Sequence, residues 1–314
     1  MLIVIAIGGH ALDPPGGGEG PQRMATLAAS LAAAARDHRL VITHGSGPQI
    51  GDLALRAALA GQPIGLDRLC AELQGALGYR LSQSLAEQDA GPGTATVITR
   101  ARVDPADPRL AHPDKPIGPV LDAATARDLA ERFGWTMGQD RGGYRRLIAS
   151  PLPLDILELE ALRALVEAGV TVICAGGGGI PVARNADGVL TGLDAVIDKD
   201  YSAALIARAL DAGALIFLTD VEAVRSDWPP PAGQWLRQTS PAALRALHFA
   251  VGSMRPKIEA AISFVEAGRD FAAIGLIEDL QALIARRAGT IVERDAVVPL
   301  TPLGDLAPTP PRGS

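Results

Sequence analysis

Lysine is the scarce residue of this 314-residue chain: of 29 basic positions only three, Lys115, Lys199 and Lys257, are lysine, and the rest are arginine. Where a surface needs only positive charge, this protein uses arginine. A lysine kept against that bias offers what the planar guanidinium fork lacks, a compact point charge with three rotatable donors. All three lie in motif-like segments: Asp114-Lys115-Pro116-Ile117-Gly118-Pro119, Val196-Ile197-Asp198-Lys199-Asp200 and Gly252-Ser253-Met254-Arg255-Pro256-Lys257. They are candidates for function.

Cysteine is rarer still. Cys70 and Cys174 lie far apart and in no metal-ligand spacing, so they read as reduced thiols of a cytoplasmic protein. A basic excess is missing too: the net charge of −6 offers no surface for nucleic acid or an anionic membrane. Aromatic residues make up only 4% of the chain, and Trp135, Trp228 and Trp235 read as packing or loop positions with no stacking surface. Long apolar runs are absent as well. Residues 1–7 are apolar, but Gly8-Gly9 ends the run, which is too short for a membrane span and lacks the charged start of a signal peptide. A hydrophobic content of 48% against 20% charged residues excludes a disordered chain. The length suits two domain-sized cores, or one large α/β domain with an insertion.

Strand and helix patterns alternate along the chain, as in an α/β protein with a largely parallel, buried sheet. Residues 2–7, 40–43, 94–99, 170–174, 214–218 and 271–274 read as strands, and 22–38, 67–88, 203–210, 256–267 and 280–285 as helices. Between about 101 and 151 the alternation stops, and the stretch reads as an insertion or subdomain on the first core. Within it, segment 141–146 reads as a solvated charged face. Residues 228–233 read as an exposed turn, and the Pro-rich tail after 298 has the composition of a flexible end.

Three strand ends run into glycine clusters: Ile7-Gly8-Gly9, His44-Gly45-Ser46-Gly47 and Ala175-Gly176-Gly177-Gly178-Gly179. Ligands of open α/β sheets bind beyond the carboxyl ends of the strands. Glycine there lets backbone amides approach a ligand, and successive amides with a following helix N-terminus cradle an anion. Neither common phosphate motif fits. The spacing from Gly45 to Gly51 is wrong for a dinucleotide fingerprint, and no lysine follows a glycine run as a Walker loop requires. Phosphoryl transfer without such a loop still needs cations on the transferring group, backbone amides and an acid to hold magnesium. The three lysines and Asp200 or Asp220 are the right parts.

The ordered motifs Ile7-Gly8-Gly9-x-Ala11-Leu12, Thr43-His44-Gly45-x-Gly47-Pro48-Gln49, Lys115-Pro116-Ile117-Gly118-Pro119, Arg145-Arg146…Ser150-Pro151, Gly176-Gly177-Gly178-Gly179-Ile180-Pro181-Val182, Ala195-Val196-Ile197-Asp198-Lys199-Asp200, Leu218-Thr219-Asp220-Val221 and Phe249-Ala250-x-Gly252-Ser253-Met254-x-Pro256-Lys257 resemble carbamate kinases of the amino acid kinase superfamily. The resemblance covers residues 1–293. It implies an α/β fold, a three-layer αβα sandwich around a central, mainly parallel sheet of about eight strands, with a protruding subdomain. It further implies one domain over 1–298, with an acceptor half (1–165) that carries the inserted lid (about 101–150) and a nucleotide half (166–298).

By the same resemblance, Lys199 and Lys257 neutralise the transferring group, Asp200 orders the lysines or magnesium, and Lys115 closes over a small acceptor. Gly8, Gly9, His10, Gly45, Ser46, Gly47, Gly177 and Gly178 correspond to acceptor and phosphoryl loops; Thr219, Asp220, Met254 and Lys257 fall at nucleotide contacts. The implied reaction interconverts ATP and carbamate with ADP and carbamoyl phosphate, with Mg2+ carried by the nucleotide, in a cytoplasmic homodimer whose partners are small molecules.

The chain departs from the family pattern at four places. His10 and Ser46 stand where Asn is usual, 222–225 reads Glu-Ala-Val-Arg in place of Asp-Gly-Val-Tyr, and Arg255 replaces Gly. The first two fall in the acceptor pocket and the last two border the nucleotide site. Two alternatives stay open beside carbamate kinase: a related kinase for another small carboxylate, phosphonate or phosphate, and a catalytically weak nucleotide-binding sensor. His10 and His44 read as structural or phosphate-donating residues, since an anionic nucleophile needs no base. Asp198 reads as a cap for the following helix or as part of the site, and Asp220 as a nucleotide contact or a turn acid.

Overall fold

The first strand sets the architecture. β1 (Leu2–Ile7) is buried along its whole length, with Leu2, Val4 and Ala6 in one core and Ile3, Ile5 and Ile7 in another. Side chains alternate across a strand, so two apolar faces demand a layer on each side. The computed structural model describes residues 1–9, 20–88, 93–140, 142–226, 235–247, 249 and 254–296.

After β1 come α1 (Gly20–Asp37), β2 (Arg39–His44), α2 (Gly47–Leu59), α3 (Leu66–Ala86) and β3 (Thr94–Val97). The middle of the chain holds β4 (Arg100–Val103), β5 (Lys115–Leu121), α4 (Ala123–Phe133), β6 (Met137–Asp140), β7 (Gly143–Ile148), β8 (Pro153–Ile156) and α5 (Leu159–Glu167). Next follow β9 (Thr171–Cys174), β10 (Ile180–Arg184), β11 (Leu190–Gly192), α6 (Lys199–Ala209) and β12 (Ala214–Thr219). The last elements are β13 (Val224–Arg225), β14 (Trp235–Leu236), β15 (Gln238–Thr239), α7 (Pro241–Arg245), α8 (Met254–Glu266), β16 (Phe271–Leu276), α9 (Leu280–Ile284) and β17 (Thr290–Val292).

Eight strands form the main sheet in the order β15-β17-β16-β12-β1-β2-β9-β3. Neighbours run parallel except β16 and β17. Leu27 and Leu31 of α1, Ile50 of α2, Leu73 of α3 and Leu283 of α9 cover the face of Ile3 and Ile5. Leu162 of α5, Ile206 of α6 and Phe264 of α8 cover the other. The three-layer sandwich with eight mainly parallel strands is therefore as expected. Among the described residues no helix is long and apolar enough to cross a membrane.

The insertion folds as an antiparallel sheet of its own, in the order β5-β7-β6. It touches the core where two glycines meet. A Cβ on Gly51 of α2 would fall inside the backbone of Gly118 in β5, and Gly118 has φ +74°. Glycine is required on both sides of this contact.

Other elements escape a reading of pattern alone. A second sheet, ordered β11-β10-β4-β8, is built from strands of three to five residues, too short to show a period. Helix α2 starts inside a Gly-Pro segment that reads as loop, yet Pro48 in a first helical turn costs no hydrogen bond. Trp228, the turn at 228–233 and the tail after 298 lie outside the described residues.

Candidate active site

The parallel strands deliver three glycine loops to one edge of the sheet. Ile7 of β1 is level with His44 of β2 and Leu218 of β12, so Gly8, Gly45 and Thr219 begin at the same height. Gly8 N donates to Leu218 O at 3.0 Å and Gly45 N to Ile7 O at 2.9 Å. A side chain on Gly45 would lie 2.8 Å from Gly9 N and 3.4 Å from Lys199 Cδ, so this glycine lets the loops close on the lysine. Beyond β9 the chain turns through Ala175, at φ +47°. Its carbonyl accepts from Thr43 Oγ1 at 2.8 Å and its amide donates to Thr99 Oγ1 at 3.0 Å. Thr99 is itself held by both ends of the Gln74 amide, at 2.9 and 3.1 Å. Gly177, at φ +64°, follows, and a Cβ there would run into Ser46 Oγ. Ser202 Oγ, from α6, donates to Gly178 O at 2.7 Å.

Two helices bring the cations to the same place. Lys199 is the first residue of α6 and Lys257 lies in the first turn of α8. Both share one carboxylate: Lys199 Nζ donates to Asp200 Oδ1 at 2.8 Å and Lys257 Nζ to Asp200 Oδ2 at 3.0 Å. Lys115, at the start of β5, donates to Asp198 Oδ2 at 2.8 Å. The other Asp198 oxygen caps α6 by accepting from Asp200 N at 3.0 Å. Asp200 is 1% exposed, Lys257 5% and Lys199 8%.

Among the described residues, three ammonium groups gather here around two carboxylates, an excess of one positive charge. Buried charge is costly without a partner, and cations at helix N-termini oppose the helix dipole. The cluster is thus built to receive an anion. Its pKa shifts follow from the same geometry. Burial opposes charge on Lys199, but Asp200 and Asp198 outweigh it and raise its pKa. At Lys257 burial wins, and the pKa falls despite Asp200. Burial pushes the Asp198 carboxyl up, yet Lys115 and Lys199 hold it well below the usual carboxylate range.

Ser46 completes the cradle. It stands at the N-cap of α2 without using its side chain as a cap, is 2% exposed, and its hydroxyl has no hydrogen-bond partner among the described residues. An orphaned buried hydroxyl at a helix N-terminus, against a glycine loop, suits a ligand oxygen. Gln49 Nε2 reaches Gly9 O at 3.3 Å, from the first turn of α2 that Gly47 opens.

Gly8, Gly9, Gly45, Ser46, Gly47, Gly177, Gly178 and the catalytic candidates therefore share one edge. Thr219, half-buried, and Asp220, exposed, lie on that edge at the end of β12, joined by a 3.1 Å hydrogen bond from Thr219 Oγ1 and not bonded to the lysines. Met254 opens α8, one turn before Lys257. His10 lies outside the described residues. His44 is fully buried against Gly176, and burial lowers its pKa to about 4. It is neutral and packed, in keeping with a structural role.

Two expectations are overturned. Within the segment read as a solvated face, Arg145 and Arg146 are covered, and residue 141 lies outside the described residues. Arg145 Nε donates to Gly118 O and its Nη1 to Asp140, both at 2.9 Å. The Arg146 guanidinium lies 4.2 Å from the centre of the Trp135 ring, which is a stacking surface after all. The subdomain is small, so its arginines bury their stems to help form its core. Asp198, read as a cap or a site residue, caps α6 and also pairs with Lys115. Gln74 and Thr99 were missed; a glutamine on the apolar face of an amphipathic helix was the available signal.

Residues 1–274 match the amino acid kinase family. A carbamate kinase of Rhizobium meliloti is 41% identical over 301 residues, 93% of either chain. One from Escherichia coli O6:H1 is 42% identical over 296 residues, 92% of this chain and 98% of its own. The structure of a carbamate kinase from Giardia lamblia bound to AMP-PNP superposes with a TM-score of 0.82 at 31% identity, over 94% of this chain and 98% of that one. This chain belongs to the amino acid kinase family, among relatives that are carbamate kinases.

Proposed function

We propose that this protein is a carbamate kinase, moving a phosphoryl group reversibly between ATP and carbamate. The observation that carries the reading is the buried cluster of Lys115, Asp198, Lys199, Asp200 and Lys257, with its excess positive charge, against three glycine loops. A carbamate oxygen attacks the γ-phosphorus, and the bond from that phosphorus to the bridging oxygen of ADP breaks. The nucleophile is already an anion, so no base is needed and no proton moves. Catalysis is then positioning and charge.

Lys199 and Lys257 meet charge on the equatorial oxygens, and Asp200 holds both lysines in place. The amides of Gly8, Gly9, Gly45, Gly47, Gly177 and Gly178, with the Ser46 hydroxyl and His10, hold the acceptor and the phosphoryl group. Lys115 faces the acceptor from the lid at about 101–150. Thr219, Asp220 and Met254 hold the nucleotide, so that the half before about 165 serves the acceptor and the half from 166 to 298 the nucleotide. Both Asp200 oxygens are taken by lysines, which suits magnesium carried by the nucleotide phosphates, where it would neutralise their charge. A homodimer is supported by β3, an edge strand of the main sheet, with Tyr79 and Ile98 exposed beside it. Buried free thiols at Cys70 and Cys174 suit the cytoplasm.

The reading is tested by ATP formation from ADP with carbamoyl phosphate and with acetyl phosphate in parallel. Carbamoyl phosphate should be the better donor. A preference for acetyl phosphate would transfer the site to another carboxylate and trace to Ser46 and His10.

A further inference from the structure

The helices that carry Lys199 and Lys257 pack side by side, and much of what they bury is alanine: Ala203, Ala204 and Ala207 on α6, Ala260 and Ala261 on α8. Small side chains bring two helices close but offer shallow ridges, which fix the register of one against the other only weakly. Polar side chains supply the missing definition. Tyr201 OH donates to Glu259 Oε2 at 2.5 Å, and two turns further on Arg208 Nη1 donates to Ser263 Oγ at 2.8 Å.

The first of these bonds stands beside the cation cluster. Tyr201 directly follows Asp200, and Glu259 lies two residues after Lys257. Glu259 is fixed in turn by Arg255, whose Nε donates to its other oxygen at 2.7 Å. We infer that Tyr201 and Glu259 are positioning residues whose hydrogen bond sets the register of α8 against α6, so that Lys257 Nζ meets Asp200 and presents its charge to the transferring phosphoryl group. The inference rests on the phosphoryl-transfer reading above. Electrostatics keep the bond intact across the neutral range. Burial and the neighbouring Glu259 push the Tyr201 phenol up, so it stays protonated. Burial would raise Glu259, but the bonds from Tyr201 and Arg255, with Arg109 nearby, outweigh it and keep the carboxylate ionised.

The scarcity of lysine makes the test direct. Protein labelled with 13C only in lysine has three side-chain Cε resonances, assignable by replacing each lysine in turn. Tyr201→Phe removes the donor and should displace the Lys257 and Lys199 resonances while Lys115 stays in place. It should also lower kcat for ATP formation about tenfold, the usual effect of losing one hydrogen bond to a charged group, with KM for ADP within about twofold. Glu259→Gln keeps an acceptor for Tyr201 and should retain the wild-type resonances and most of kcat. Glu259→Ala removes the acceptor from the other helix and serves if Tyr201→Phe does not fold. A fall in thermal stability with the lysine resonances and kcat both unchanged overturns the inference. So does a change in either one without the other. Should the wild type form no ATP, the reading of the reaction fails, while the resonances still decide whether the bond places Lys257.

Discussion

Lys257 Nζ stands 3.0 Å from Asp200 Oδ2 while the other oxygen of that carboxylate takes Lys199 at 2.8 Å. One buried acid therefore spaces two ammonium groups that would otherwise repel each other. Asp200→Asn raises the excess of the cluster from one positive charge to two. Breaking a buried ion pair from one side costs about 3–5 kcal/mol. Lys257, whose pKa is already lowered, is the group that gives up its proton. The expected outcome is a clear drop in unfolding free energy together with a kcat lower by about 10². Denaturant melts and initial rates check it; near-normal kcat would mean that the lysines need no organiser.

Asp198 allows a cleaner cut. Asn caps a helix as well as Asp does, so Asp198→Asn should leave α6 formed while it frees Lys115, with a lower melting temperature from the lost ion pairs to Lys115 and Lys199. Lys115→Met removes the cation itself. If Lys115 faces the acceptor, that variant should raise KM for carbamoyl phosphate about tenfold or more and leave KM for ADP close to wild type. Equal effects on the two substrates would count against the assignment.

The contact between Gly51 and Gly118 predicts an effect at a distance from the chemistry. In Gly51→Ala the new methyl meets backbone, which cannot swing aside as a side chain would. The β5-β7-β6 sheet must shift on α2, at a cost of about 1–3 kcal/mol. KM for carbamoyl phosphate should rise while the nucleotide constant stays, and β5 should exchange its amide hydrogens faster. Unchanged exchange in β5 would show that the subdomain is seated elsewhere.

His44 fixes the acid limb of stability. Its folded pKa, about 4, lies below the unfolded value of about 6.5. Stability is then whole above about pH 6.5 and is lost as pH falls toward 4, by up to about 1.4 kcal/mol per pH unit. His44→Asn should flatten that limb. Urea titrations at pH 7, 6 and 5 on both proteins measure it, and parallel curves would contradict it.

The sequence displayed the central sheet because parallel strands buried on both faces read as unbroken apolar runs, as in β1 and β12. It displayed Lys115, Lys199 and Lys257 because arginine fills the other basic positions. It hid β4, β8, β10 and β11, whose few residues carry no period, and α2, whose Gly-Pro start resembles a loop. The link from Lys115 to Asp198 spans 83 residues and depends on how the subdomain sits, which no local pattern encodes. Arg145 and Arg146 read as solvent-facing because charge usually is, yet the small subdomain covers both stems and stacks the Arg146 guanidinium on Trp135. Residue types announced the chemistry, and only the fold paired them.

The central claim is that this cluster transfers a phosphoryl group from carbamoyl phosphate to ADP. Initial rates of ATP formation from those two substrates, for wild type, Lys199→Ala and Lys257→Ala together, test it most directly. Wild type should turn over at about 1–10³ s⁻¹, and each variant should lose about 10²–10³ in kcat with KM for ADP little changed, because charge on the transferring group peaks in the transition state. No ATP from the wild type, or variants as fast as the wild type, would contradict the account.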